Sequence, residues 1–275
     1  MSLNRIHGIR WLTSAVWVLV SCTSLLGQSH PPVAAEASSQ GKIETRTYHF
    51  EAADKDMEYA VYVPKSYDKE KATPLVVVLH GLGSNPKQIL GYPGMVDQAE
   101  KYGTILGAPM GYNSRGWYGN KPPRSRKTEP ANLGELSEKD VMNVLELLLK
   151  EFNVDQDRVY LTGHSMGGGG TWHLGIKYPK LWAGLAPIAP AIYVSSDGLK
   201  AITHLPVIVV QGDRDRLVPV EGARRWVAKM KELEMVHEYL EVEGGDHIKP
   251  AFQKLPEVFD FLMQHRRTQP AGDKN

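Results

Sequence analysis

Thiol chemistry has almost no foothold in this chain: of 275 residues only Cys22 is a cysteine. From Gly27 onward there is none, so no disulfide closes the folded part and no cysteine acts there as nucleophile or metal ligand. An excess of one charge is lacking too. The 32 lysines and arginines against 31 aspartates and glutamates leave a formal charge of +1, which excludes the strongly basic footprint of a nucleic-acid binder. Long apolar runs are scarce: Trp11 to Leu26 is broken only by Thr and Ser, and falls short of the ~20 residues that span a bilayer. No internal repeat and no long low-complexity tract is present. No group of histidines and carboxylates has metal-ligand spacing.

That one apolar run has a context. Arg5 and Arg10 precede it, and a polar Pro/Ala/Ser-rich stretch follows to about Gly41. Residues 1–27 read as a secretory signal peptide and 28–41 as a linker, which predicts a secreted or periplasmic protein. Leu19-Val20-Ser21-Cys22 is similar to a bacterial lipobox, in which Cys22 would be lipidated and hold the protein at the cell envelope. Leu25 and Leu26 carry the apolar run past the cysteine, so ordinary cleavage near Gly27 or after Ala35 stands equally beside it. Apart from such an anchor no membrane contact is expected. One domain is expected over 42–266, with 267–275 as a polar tail.

Within that domain short apolar runs alternate with helical patterns. Ile43–Phe50 and Met57–Val63 alternate as an antiparallel edge pair. Pro74–Leu79 is a continuous β-branched run of the kind buried on both faces of a parallel sheet. Similar runs recur at Thr104–Pro109, Arg158–Thr162, Trp182–Ile188, Pro206–Gln211 and His237–Val242. Helices are expected at Pro86–Tyr102, Ser137–Phe152, Met166–Tyr178, Val220–Leu233 and Gln253–His265, the second opened by a capping-box variant of Ser137 and Asp140. The alternation predicts an α/β fold, a mostly parallel doubly wound sheet flanked by helices, with ligands beyond the carboxyl ends of the strands.

Chemistry concentrates at those ends. Gly163-His164-Ser165-Met166-Gly167 follows an apolar strand and opens a helix. A serine on so tight a turn is exposed to a base on one side and to substrate on the other. Gly212-Asp213-Arg214-Asp215, after Pro206–Gln211, offers two carboxylates. Gly244-Gly245-Asp246-His247, after His237–Val242, offers a histidine; His49, His204, His237 and His265 have no glycine-rich strand-end setting, His7 and His30 lie outside the expected domain, and His173 falls two helical turns beyond Ser165. A serine needs a base, and the base an orienting acid. Met166, at the helix start, offers a free backbone N–H to a developing oxyanion.

The motifs Leu79-His80-Gly81-Leu82-Gly83, Gly163–Trp172, Gly212–Pro219 and Gly244–His247, in this order, resemble those of the α/β-hydrolase superfamily. The nearest likeness is to small lidless esterases of the prolyl-oligopeptidase-like, dienelactone-hydrolase-like and polyhydroxybutyrate-depolymerase-like types. The resemblance covers about Lys42 to His265. It implies Ser165 as nucleophile, Asp215 rather than Asp213 as the acid, His247 as general base and Leu82 as the second oxyanion amide. It also implies that His80 supports its loop by hydrogen bonding and that no cofactor or metal takes part. His164 is expected only to pack, and Trp172 to lie in the core.

Gly111 to Lys127 is glycine- and aromatic-rich, then basic. Trp117 and Tyr118 could form a substrate platform for a sugar or aromatic acyl group, or could be the private cluster of a surface loop. Ala189–Leu199 is too short for a large lid. The expected protein is a serine carboxylesterase whose partner is an ester substrate, polymer-linked, polyester or small. A peptidase and a non-catalytic binding protein on the same scaffold are the alternatives.

Overall fold

The computed structural model describes residues 40–123 and 129–267. Eight strands form one sheet: β1 (Ile43–Phe50), β2 (Lys55–Tyr62), β3 (Thr73–Leu79), β4 (Ile105–Pro109), β5 (Val154–His164), β6 (Gly184–Ile188), β7 (Val207–Gly212) and β8 (His237–Val242). Their spatial order is β1-β2-β4-β3-β5-β6-β7-β8. The expected edge pair is there: β1 and β2 are antiparallel, as are β2 and β4, and every other neighbouring pair is parallel.

The β-branched run of β3 shows why the sheet is central. Leu75, Val77 and Leu79 point into one apolar layer, Val76 and Val78 into the other, and all five are buried. Burying each such side chain contributes about 1.5–3 kcal/mol. The first layer lies under α3 (Leu133–Glu151), α4 (Met166–Lys177) and α5 (Val220–Glu232). The second lies under α1 (Pro86–Leu90), α2 (Met95–Tyr102), α6 (Lys249–Gln253) and α7 (Leu255–Met263). No helix among the described residues is long and apolar enough to cross a membrane.

Three expectations about helices need correction. The pattern over Pro86–Tyr102 is two helices, because Pro93 has no N–H to give and Gly94, at φ +88°, turns the chain before α2. The helix expected over Gln253–His265 is α7, and a short helix that was not expected, α6 (Lys249–Gln253), precedes it. Ser137 and Asp140 do not cap a helix. The second long helix, α3, begins a turn earlier at Leu133, and both side chains are buried in its interior, bonded to the loop after β4.

Candidate active site

The chain leaves β5 at His164 and turns sharply at Ser165, with φ 61° and ψ −114°. That conformation is unfavourable for a residue with a Cβ and persists only where its surroundings impose it. Here three backbone bonds do so. Ser165 N–H donates to the Ile188 carbonyl (2.9 Å), and the Ser165 carbonyl accepts from Gly169 and Ala191 N–H (3.0 Å each). The turn also needs bare backbone on both sides. A Cβ on Gly163 would run into the Gly167 carbonyl, and one on Gly167 into the Leu79 carbonyl.

The loops after β7 and β8 meet beside this turn. His247 Nδ1–H donates to Asp215 Oδ2 over 2.6 Å, and the Asp215 side chain is fully buried. The same oxygen accepts from Gln211 Nε2 (3.0 Å), while Oδ1 accepts from the N–H of Leu217 (2.9 Å) and Val218 (2.8 Å). Burial alone would raise the Asp215 carboxyl; the bonds from His247, Val218 and Leu217 outweigh it and hold the group below the usual carboxylate range. With Nδ1–H committed to the acid, the other ring nitrogen of His247 is left to accept a proton. Asp213 makes no hydrogen bond to His247 among the described residues: its N–H donates to the Val242 carbonyl (3.2 Å). Asp246 Oδ1 accepts from the N–H of Ile248 (2.9 Å) and Lys249 (2.7 Å) at the start of α6.

Ser165 and His247 line one cavity of about 490 Å³, together with Leu82, Met166, Trp117 and Tyr193. Gly81 brings the loop after β3 against the turn, where a Cβ on it would stand 3.5 Å from that of Ser165. Among the described residues neither Leu82 N–H nor Met166 N–H has an acceptor. Two unspent donors therefore border the cavity beside the serine, one of them at a helix N-terminus. His80 holds the loop between the carbonyls of Gly81 and Met110, 2.8 Å from each, and burial pushes its pKa down.

A family comparison fits this geometry. The model of the Esterase family, described as "Putative esterase", matches residues 51–262. The chain belongs to this esterase family. Among curated proteins it is 30% identical over 152 residues to "Putative esterase NocK" of Nocardia uniformis, covering 54% of this chain and 42% of that one. It is 23% identical over 228 residues to "Probable feruloyl esterase C" of Aspergillus terreus, covering 81% and 74%. The chain thus spans less than half of the first of these relatives. Among solved structures, a ferulic acid esterase of Anaeromyces mucronatus in complex with ferulic acid superposes with a TM-score of 0.63 at 18% identity, over 82% of this chain and 90% of that one. That likeness is one of fold: the α/β-hydrolase fold.

The two aromatic candidates part company. Trp117 lines the cavity, with its ring edge-on to Tyr193 at 5.8 Å. Tyr118 does not: it is fully buried, its hydroxyl donates to the His80 carbonyl (3.2 Å), and its ring packs edge-on against His80. As an expected platform residue Tyr118 is corrected; it is a strut behind the His80 loop. Both residues have positive φ, 61° and 53°, and both are buried, Trp117 against the cavity and Tyr118 behind it. Cys22 and residues 124–128, with the basic Arg124, Arg126 and Lys127, lie outside the described residues.

Other site residues escaped the sequence reading. His164 does more than pack. Its Nε2–H donates to the His247 carbonyl (2.8 Å), its Nδ1 accepts from Tyr92 Oη–H (3.0 Å), and its ring lies 4.9 Å from that of His247. Burial, the largest influence, brings its pKa down to about 4, so the ring is neutral near pH 7. Tyr193, Leu217 and Ile248 surround the mouth, all exposed. Leu217 sits inside the Gly212–Pro219 motif, but nothing in that motif marks which way its side chain faces. Among the described residues no cluster of three or more His, Cys, Asp or Glu could hold a metal ion.

Proposed function

We propose that this protein hydrolyses carboxylic esters through an acyl-enzyme formed on Ser165. His247 takes the proton from Ser165 as its oxygen attacks the ester carbonyl carbon. The carbonyl π electrons move onto oxygen, which rests on the N–H groups of Leu82 and Met166. His247 then protonates the leaving alcohol as the C–O bond breaks. Water, deprotonated by His247, attacks the acyl-enzyme, and the collapse releases the acid and returns the proton to Ser165. Asp215 keeps Nδ1–H in place and stabilises the transient imidazolium. The observation that carries this reading is the pairing, around one cavity, of a serine on a strained turn with a histidine whose other nitrogen is bound to a buried, ionised carboxylate.

The acyl half of the substrate is bulky and apolar in this reading. Trp117 forms one wall, and exposed Tyr193, Leu217 (72% exposed) and Ile248 rim the mouth. Exposed apolar side chains gathered at one opening mark a contact surface. The name of the Aspergillus terreus relative, "Probable feruloyl esterase C", fits an aromatic acyl group, and we propose a polysaccharide on the alcohol side. In the same reading the signal-like residues 1–27 direct the protein out of the cytoplasm, secreted or periplasmic, with Cys22 as the lipid attachment point if the lipobox is used. The domain carrying the activity is 42–266.

The test is turnover of p-nitrophenyl esters from acetate to octanoate, beside an aminoacyl p-nitroanilide. Ser165→Ala is expected to lower kcat by about 10⁴-fold or more without unfolding the protein. A fluorophosphonate should label wild type and not the variant. Cleavage of the anilide alone would turn the reading to a peptidase, and a folded wild type that is neither active nor labelled would end it.

A further inference from the structure

A second cavity, of about 390 Å³, lies behind the walls of the first and shares no lining residue with it. Its body is apolar. Trp172 and Trp226 meet there with ring centroids 4.5 Å apart, and Ile176, Ile192 and Val194 complete the wall. The partition from the catalytic cavity is a single thickness of chain. Along residues 191–194 the side chains alternate, Ala191 and Tyr193 lining the first cavity, Ile192 and Val194 the second. The loop after β4 divides the same way: Trp117 belongs to the first, Gly119 to Lys121 to the second. Asn120 Nδ2 donates to the Ala191 carbonyl (3.2 Å) and ties the two partitions together.

The charge at this cavity has one sign. Its lining holds Lys121, Lys177 and His173 and no carboxylate. Lys177 and His173 share one acid outside the lining, Glu138, at 2.6 Å and 2.8 Å. Lys121 makes no ion pair among the described residues. Two ammonium groups against one carboxylate leave a net positive charge beside an aromatic hollow. That combination suits a ligand with a planar or chain-like apolar body and an anionic end. We propose that the second cavity binds an aryl or alkyl carboxylate, with the ring or chain against Trp172 and Trp226 and the carboxylate toward Lys121. Acids of this class are what the proposed ester hydrolysis releases, and the link to turnover rests on that reading; the site itself does not. Occupancy would press on the partition that carries Trp117 and Tyr193.

Binding of 3-phenylpropanoate at pH 8, followed by tryptophan fluorescence and calorimetry on the whole protein, tests this without any turnover. Wild type should bind it at least tenfold more tightly than neutral 3-phenylpropanol. Lys121→Glu, on an exposed side chain, should weaken binding about tenfold. Val194→Trp, which fills the hollow from its exposed side, should abolish it. Leu217→Asp, at the mouth of the catalytic cavity, should leave it unchanged. Thermal midpoints within about 2 °C of wild type would show each variant folded. Loss of binding in Leu217→Asp with retention in Lys121→Glu would place the acid in the catalytic cavity and overturn the proposal. So would equal affinity for acid and alcohol, or no binding by wild type. Loss of esterase activity alone would count against the proposed function and not against this site.

Discussion

His164 shows how much one buried side chain can hold. It bridges the Tyr92 hydroxyl and the carbonyl of His247, so it fixes the backbone from which the proposed base projects. It can do so only while neutral, because the Nδ1 that accepts from Tyr92 has no room for a proton as well. Its pKa falls from 6.5 to about 4 on folding. A histidine held neutral by the fold contributes full stability above its unfolded pKa and loses it as the unfolded state takes up protons below about pH 6.5. The loss grows until about pH 4, and His80 acts in the same direction. Between pH 7 and 4.5 the wild type should lose about 2–3 kcal/mol of stability through His164, and His164→Gln should lose correspondingly less; urea midpoints at the two pH values measure it. None of this was legible in the sequence. Position 164 is visible as the neighbour of a serine, but its two partners lie at positions 92 and 247, and no local pattern joins them. The loops that carry Asp215 and His247 were legible because each is a glycine-rich turn after a strand; the choice of Asp215 over Asp213 came only from the resemblance to the α/β-hydrolase motifs.

At the scale of elements, α3 and the loop after β4 have to be considered together. Ser137 Oγ accepts from Tyr118 N–H, and Asp140 accepts from the N–H of Gly111 and Tyr112 and from the Tyr48 hydroxyl. A polar pair three residues apart resembles a cap when only its spacing is known. The structure shows that the helix extends a turn further back and that the pair faces a loop rather than its own backbone. Asp140→Ala would strand one buried donor, the Gly111 N–H, and two half-buried ones, the Tyr112 N–H and the Tyr48 hydroxyl; a buried donor left unpaired costs about 1–3 kcal/mol. We expect a loss of roughly 3 kcal/mol or more by urea denaturation. Because the loop carries Trp117, KM for a bulky p-nitrophenyl ester should rise more than for the acetate. The strands were the most legible elements, since a run such as that in β3 must be covered on both faces whatever its neighbours. Helix ends were less so, because Pro93 and Gly94 act on a few backbone bonds that periodicity does not register.

For the molecule as a whole, one sheet carries every group of the proposed mechanism: β3 leads to Leu82, β5 to Ser165, β7 to Asp215 and β8 to His247. All four lie beyond carboxyl ends of parallel strands, as doubly wound sheets predict. Parallel neighbours cannot be read from sequence directly; they follow from the helices that separate them. A protein beginning at Ser38 should therefore fold and retain full p-nitrophenyl ester turnover, with a thermal midpoint within about 3 °C of the longer chain. A larger fall would mean that the preceding residues belong to the domain and would remove the boundary proposed at residue 42.

The order of those strands also sets a timetable. Synthesis delivers Ser165 while the strands that bring Asp215 and His247 are still to come, and those two strands form the far edge of the sheet. A nascent or partly threaded polypeptide carries an alcohol with no base to ionise it. Competence would arrive late and all at once, when the last two strands dock. A cell that makes this protein on one side of a membrane and uses it on the other would have no need of an inhibitor in between.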